Sequence, residues 1–184
     1  MKYHNNIHIK NAGIARTLLD QASADFIARI MIDRGFNVTR LCAKDPETLT
    51  YINLLHTLFP KAKFIYMIRD GRASAYSHFQ HLFSDRSIKR LGYSNSTLYS
   101  KCLHKWNDFN RVASYECSKI GKSFCLAIRY EDLVKDTEKV LKVMIEFLGE
   151  KWHPEMLHHQ EHIGDSVILA KAEWSSDQVV SVLF

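Results

Sequence analysis

The sequence predicts an α/β fold, a parallel sheet flanked by helices. Three observations predict it. Short apolar runs of strand length alternate with stretches whose apolar residues recur at three- and four-residue intervals. The clearest of the short runs is bounded by charge and is apolar throughout, as befits a strand buried on both faces. No internal repeat, low-complexity tract or Pro/Gly linker breaks the alternation, so the 184 residues suit one domain with strands joined through helical crossovers.

Ala12 to Arg34 reads as a helix: Ile14, Leu18, Leu19, Phe26, Ile27, Ile30 and Met31 mostly fall at helical intervals, and Gly35 supplies a stop. Val38 to Cys42 is a short strand candidate. Asp45 can cap the next helix with Pro46 at its first position; Leu49, Ile52, Leu55 and Leu58 line it, and Pro60 closes it. Lys63 to Ile68 is the charge-bounded apolar run and the best strand. A helix follows from about Gly71 to Phe83, then a polar loop from Ser84 to Asn95. Leu98, Cys102, Trp106, Phe109 and Val112 mark a long helix ending near Gly121. Phe124 to Ile128 is another strand. Thr137 to Leu148 is a helix with Val140, Leu141, Met144, Ile145 and Leu148 inward, ended by Gly149.

Composition narrows the partners. Hydrophobic residues make up 46% and charged residues 24%, enough for a packed core without metal or disulfide staples. The net charge of +5 and pI of about 9.0 favour anionic partners. The basic residues are scattered, and the absence of a continuous basic run argues against general nucleic-acid binding. No stretch reaches the ~20 apolar residues of a membrane span. Met1 to Lys10 is polar, so any secretory signal is expected to lie outside this chain. The four cysteines, Cys42, Cys102, Cys117 and Cys125, form no Cys-x-x-Cys pair, which disfavours a thiolate zinc site. Cys117 and Cys125 flank a short turn and could bridge; composition leaves that open. The triplets Asn37-Val-Thr39 and Asn95-Ser-Thr97 are glycosylation sequons, a weak pointer to a lumenal compartment.

In an open parallel sheet, ligands bind beyond the carboxyl ends of the strands. Lys44, Arg69 and Tyr130 each fall just past a predicted strand. Ile68-Arg-Asp-Gly-Arg-Ala-Ser74 combines a strand end, a tight turn and a helix start, whose N–H groups suit a phosphate. Arg69 can add a bidentate clamp, Gly71 close backbone approach, and Ser77 a hydroxyl about two turns further on. The competing reading is an Arg69–Asp70 surface ion pair. In Leu41-Cys-Ala-Lys-Asp-Pro46, Lys44 could neutralise a leaving group, or could simply be solvated. Ser175-Ser-Asp-Gln-Val179 is a capped helix start, a ligand-covering loop or a plain surface turn. His158-His-Gln-Glu-His162 matches the spacing of inverted zinc peptidases, but no third ligand stands out, and ordinary histidines are the commoner explanation.

Together these segments resemble the tyrosylprotein sulfotransferases. The matching text runs from about Leu41 to Val179. Its most specific pieces are Leu41-Cys-Ala-Lys-Asp-Pro46, Leu58-Phe-Pro-Lys-Ala-Lys-Phe64 leading to Met67-Ile-Arg-Asp-Gly-Arg-Ala-Ser74, Cys102-Leu-His-Lys-Trp106, Leu157-His-His159 with Ile163-Gly164, and Ser175-Ser-Asp-Gln-Val179. The resemblance implies a nucleotide-binding sulfotransferase fold, here truncated, with residues 1–184 a single partial domain. It implies sulfuryl transfer from 3′-phosphoadenylyl sulfate to tyrosine in acidic segments of secretory proteins, no metal, and a Golgi-lumen setting with a membrane anchor in the complete family member. A homodimer is a further expectation. By position, Arg69, Ser77 and Tyr130 resemble contacts to the donor, the first two to its 3′-phosphate. Lys44 and Ser175 resemble the stabilisers of the transition state. Ser176, Asp177, Gln178 and Val179 resemble the rest of a donor-binding loop, and Cys117–Cys125 a family disulfide.

Departures from the family pattern carry expectations of their own. The phosphate loop for the donor's 5′ side and the glutamate base would precede the first segment seen here, so this chain is expected to turn over little or not at all. An inactive donor-binding or dimerising fragment is the alternative. Cys42 matches a cysteine whose partner falls in the same missing part. His81 stands in place of an arginine on the 3′-phosphate, the loop between Gly164 and Ser175 is shortened, and a later donor-binding lysine is absent.

Overall fold

The computed structural model describes residues 16–32, 40, 42–84 and 94–162. The helices are α1 (Arg16–Ile32), α2 (Ile52–Leu58), α3 (Gly71–Ser84), α4 (Asn95–Ile120), α5 (Tyr130–Lys135) and α6 (Thr137–Leu148). The strands are β1 (Phe64–Ile68), ahead of α3, and β2 (Cys125–Arg129), between α4 and α5; 3₁₀ turns cover Pro46–Tyr51 and Pro154–His162. Among the described residues the sheet is β1 paired in parallel with β2, in the register Phe64↔Cys125 through Ile68↔Arg129. The predicted α/β class with a parallel sheet and flanking helices is what the chain forms.

The period-two alternation of a strand explains the layering. Phe64, Tyr66 and Ile68 join Cys125 in a cluster with Ile52 of α2 and Ala113 and Cys117 of α4. Ile65 and Met67 join Leu126 and Ile128 on the other face, against Leu133 of α5 and Leu141 and Met144 of α6. Tyr66 buries its ring completely but keeps a partner for its hydroxyl, which lies 2.5 Å from Asn110 Oδ1 on α4. A buried phenol without that acceptor would cost about 1–3 kcal/mol. A third cluster, Ala75, Phe79, Leu98 and Cys102, packs α3 along α4.

The ends of the elements are tied by specific groups. Ser94 caps α4 by accepting the N–H of Thr97, so the Asn95-Ser-Thr97 triplet forms the first turn of a helix. The C-terminal carbonyls of α6 receive two cations: Lys63 Nζ donates to Phe147 O at 2.5 Å and Arg40 to Leu148 O at 3.3 Å. Both oppose the negative end of the helix dipole. Gly149 then turns the chain in the left-handed region (φ 77°), where a side chain is strained. The Cys117–Cys125 disulfide joins the last turn of α4 to the first residue of β2, with Cα atoms 5.4 Å apart. Cys42 is a free exposed thiol and Cys102 a free buried one.

Three expectations need correction. The helix expected from Pro46 begins as a 3₁₀ turn and becomes α-helical only at Ile52. Thr48 binds the Asp45 carboxylate at 3.0 Å, and β-branched Thr48 and Thr50 sit poorly in an α-helix. Glu116 of α4 instead receives the Asn53 backbone N–H at the start of α2, together with the Asn53 side-chain amide. Within the strand expected over Val38–Cys42, Arg40 and Cys42 lie in no strand and Arg40 is drawn to Glu150 at 2.5 Å; the remainder is outside the described residues. The apolar stripe of α1 is not a buried face: it packs against α2, but Leu18, Leu19, Phe26 and Ile30 stay exposed.

Candidate functional site at the carboxyl end of the sheet

Because Ile68 pairs with Arg129, the next residue of each strand, Arg69 and Tyr130, emerges at the same edge of the sheet. The guanidinium carbon of Arg69 stands 4.9 Å from the centre of the Tyr130 ring, a cation–π contact. Arg69 is exposed and Tyr130 half-buried, so the ring positions a side chain that is itself accessible to solvent. A planar cation held this way is suited to grip a phosphate with two parallel hydrogen bonds.

The turn between β1 and α3 is organised by Asp70 rather than left open. Its Oδ1 accepts the N–H of Arg72 at 2.9 Å and of Ala73 at 3.3 Å, capping α3. Its Oδ2 receives Arg72 Nη2 at 2.9 Å. The helix start therefore does not offer those N–H groups to a ligand, contrary to the expectation from the motif. The competing Arg69–Asp70 ion pair does not form either: Asp70 pairs with Arg72, and Arg69 turns to Tyr130. From the facing turn, Glu131 Oε1 accepts the Asp70 backbone N–H at 2.7 Å.

The Arg72 side chain, followed by the Ala73 and Arg72 N–H groups, holds the Asp70 carboxyl down at about 2. Glu131 is lowered too, chiefly by the Asp70 N–H. The folded-state value of Asp70 lies below the unfolded ~3.9. Its contribution is thus complete above about pH 4 and disappears as pH falls through about 2. Melting temperature followed over that window is expected to drop less steeply for Asp70→Asn than for the parent chain.

Gly71 serves packing. A Cβ placed there would meet Trp106 Cε3 at 2.7 Å and Cζ3 at 2.8 Å, against the ring face and not against a flexible tip. Its φ is not positive, so the backbone there does not itself oppose alanine. Overpacking of this kind costs typically 1–3 kcal/mol. Gly71→Ala is expected to be net destabilising, by about 1 kcal/mol, in urea unfolding.

The remaining candidates are distributed as follows. Ser77 lies exposed on α3, downstream of Arg69. Lys44 lies exposed in the irregular stretch 42–45 leading into the first 3₁₀ turn. Ser175, Ser176, Asp177, Gln178 and Val179 fall outside the described residues. The zinc spacing at His158–His162 loses its premise: the segment is 3₁₀, with a break at His158 (φ −116°), so positions i and i+4 do not share an α-helical face. His158 Nδ1 instead faces Glu161 at 3.3 Å. Among the described residues no cluster of His, Cys, Asp or Glu could hold a metal, and no helix is long and apolar enough to cross a membrane.

Residues 2–154 match the model of the Sulfotransferase family. The chain belongs to the sulfotransferase family. It is 37% identical over 177 residues to Protein-tyrosine sulfotransferase of Drosophila melanogaster, covering 95% of this chain and 34% of that protein. To Protein-tyrosine sulfotransferase 2 of Gallus gallus it is 38% identical over 176 residues, 95% of this chain and 46% of the other. The chain thus spans between a third and a half of the length of these two relatives. Among solved structures it is similar to a sulfotransferase domain from the curacin biosynthetic pathway, with a TM-score of 0.59 and 26% identity over 77% of this chain and 48% of that one. The Arg69–Tyr130 contact therefore lies at the strand ends of a sulfotransferase domain.

Sequence reading missed Glu131, because α5 has six residues, too few for apolar periodicity to register. A signal existed: Glu131 and Asp132 come one residue after a strand, and acids are favoured in the first turn of a helix.

Proposed function

We propose that this chain supplies the 3′-phosphate side of the donor site of a protein-tyrosine sulfotransferase, within one partial domain over residues 1–184. The observation that carries the reading is the Arg69 guanidinium lying 4.9 Å over the Tyr130 ring at the ends of two in-register strands. On this reading 3′-phosphoadenylyl sulfate binds with its 3′-phosphate on Arg69 and Ser77, with Tyr130 as a further contact and Ser176, Asp177, Gln178 and Val179 as the rest of the donor-binding set. A tyrosine oxygen attacks the sulfur, the S–O bond to the phosphate breaks, and adenosine 3′,5′-diphosphate leaves. Negative charge spreads over the equatorial and leaving oxygens, and Lys44 and Ser175 stabilise it by charge and hydrogen bonding. The phenolic proton must pass to a base, which no described carboxylate of this site is suited to be. Glu131 is lowered and already accepts a backbone N–H, and Asp70 is held at about 2.

The acceptors on this reading are acidic tyrosine-containing segments of secretory proteins, the compartment is the Golgi lumen, and a second copy of the protein is a possible partner. Sulfate transfer from labelled donor to an acidic tyrosine peptide tests the reading, alongside calorimetric titration with 3′,5′-adenosine diphosphate. Binding is expected, with turnover slight. Binding with no turnover marks a donor-binding or dimerising unit of the family. Absence of binding at millimolar nucleotide refutes the donor-site reading.

A further inference from the structure

We propose that Glu131 is a positioning residue of this site: its carboxylate straps the β1–α3 turn to the start of α5, so that Arg69 and Tyr130 meet a bound phosphate as one preformed unit. The inference rests on the donor-site reading above.

The ladder between the strands ends at the pair Ile68↔Arg129. Arg69 and Tyr130 lie one residue beyond it, where the two chains diverge into separate helices. Glu131 Oε1 accepts the Asp70 N–H at 2.7 Å across 61 residues of sequence. That bond joins the residue after Arg69 to the residue after Tyr130, extending the alignment past the last strand pair. The other oxygen of the carboxylate lies 4.0 Å from Nε of Arg129, the last residue of β2 and the one before Tyr130. Asp70 is itself fixed to α3 through the N–H groups of Arg72 and Ala73. One carboxylate therefore couples the site arginine, the site tyrosine and the first turn of α3. Glu131 is ionised at neutral pH, where it is the stronger acceptor, and the Asp70 N–H lowers its titration further. Without the strap the guanidinium and the ring each have rotamers to lose on binding, and a preformed pair loses fewer.

The variants separate this role from plain stability. Glu131→Gln keeps an acceptor for the Asp70 N–H. Glu131→Asp keeps the charge but is one methylene too short to reach it. Glu131→Ala removes both. Calorimetric titration with 3′,5′-adenosine diphosphate is expected to show a loss of about tenfold in affinity for Glu131→Asp and Glu131→Ala and less than about threefold for Glu131→Gln, with melting temperatures recorded in parallel. If Glu131→Ala does not fold, the Asp and Gln variants carry the comparison. In an Arg69→Ala background the Glu131→Asp loss is expected to shrink, because the two act through the same contact. Equal affinities of the parent, Asp and Gln proteins overturn the proposal, as does an undiminished Glu131→Asp effect without Arg69. Failure of the parent chain to bind the nucleotide overturns the donor-site reading, and this inference with it.

Discussion

Arg69→Ala is expected to weaken 3′,5′-adenosine diphosphate binding by at least about a hundredfold. A hydrogen bond to a charged group contributes about 1.5–3 kcal/mol, and a guanidinium on a phosphate makes two; each 1.4 kcal/mol is a factor of ten. Arg69 is exposed and follows the last residue of β1, so its removal empties no core volume. The melting temperature should accordingly stay close to that of the parent, and isothermal calorimetry should register the whole effect. Arg69→Lys keeps the charge but loses the planar fork, and an intermediate affinity is expected. An affinity for Arg69→Ala within threefold of the parent would show that the 3′-phosphate does not sit on this residue.

Removing the Cys117–Cys125 disulfide carries the largest expected effect on stability. The bond closes a loop with a sequence separation of 8, and the chain-entropy relation gives about 2–3 kcal/mol for a loop of this length. For a chain of this size that corresponds to a fall in melting temperature of about 5–10 °C. The paired variant Cys117→Ala with Cys125→Ala avoids burying two hydroxyls in a cluster that also contains Ile52 and Tyr66. Its melting temperature is expected to match that of the parent chain in reductant. A melting curve unchanged by reductant would show the bridge to be energetically silent.

What could be read before the fold was seen divides along physical lines. The strand Phe64–Ile68 stood out because an apolar run between charges has few other uses, and α6 because Leu141, Met144 and Ile145 recur at helical spacing and are all buried. The placing of Arg69 and Tyr130 past the strand ends followed from the fold class alone. Their contact did not, because it depends on the register Ile68↔Arg129, which no local pattern encodes. The role of Asp70 was hidden for a similar reason. An acid beside Arg69 suggests an ion pair, and only the turn geometry reveals a helix cap whose charge goes to Arg72. Gly71 was read as room for a ligand, whereas the room is occupied by Trp106 from α4, a tertiary contact. The exposed stripe of α1 shows the opposite failure: periodicity announces an apolar face but not what meets it.

The parallel register has a kinetic side. Phe64 and Cys125 are ladder neighbours, yet all of α3 and α4 lies between them. A hairpin can zip from its turn, but this pair has no turn to zip from. The intervening chain must be reeled in before the first rung forms, and that loop-closure entropy falls on the rate-limiting ensemble. Refolding should be slower than that of a helical bundle of equal length. Pulse-labelled amide exchange should find helical protection on α4 ahead of protection on either strand, with the Arg69–Tyr130 edge assembled last.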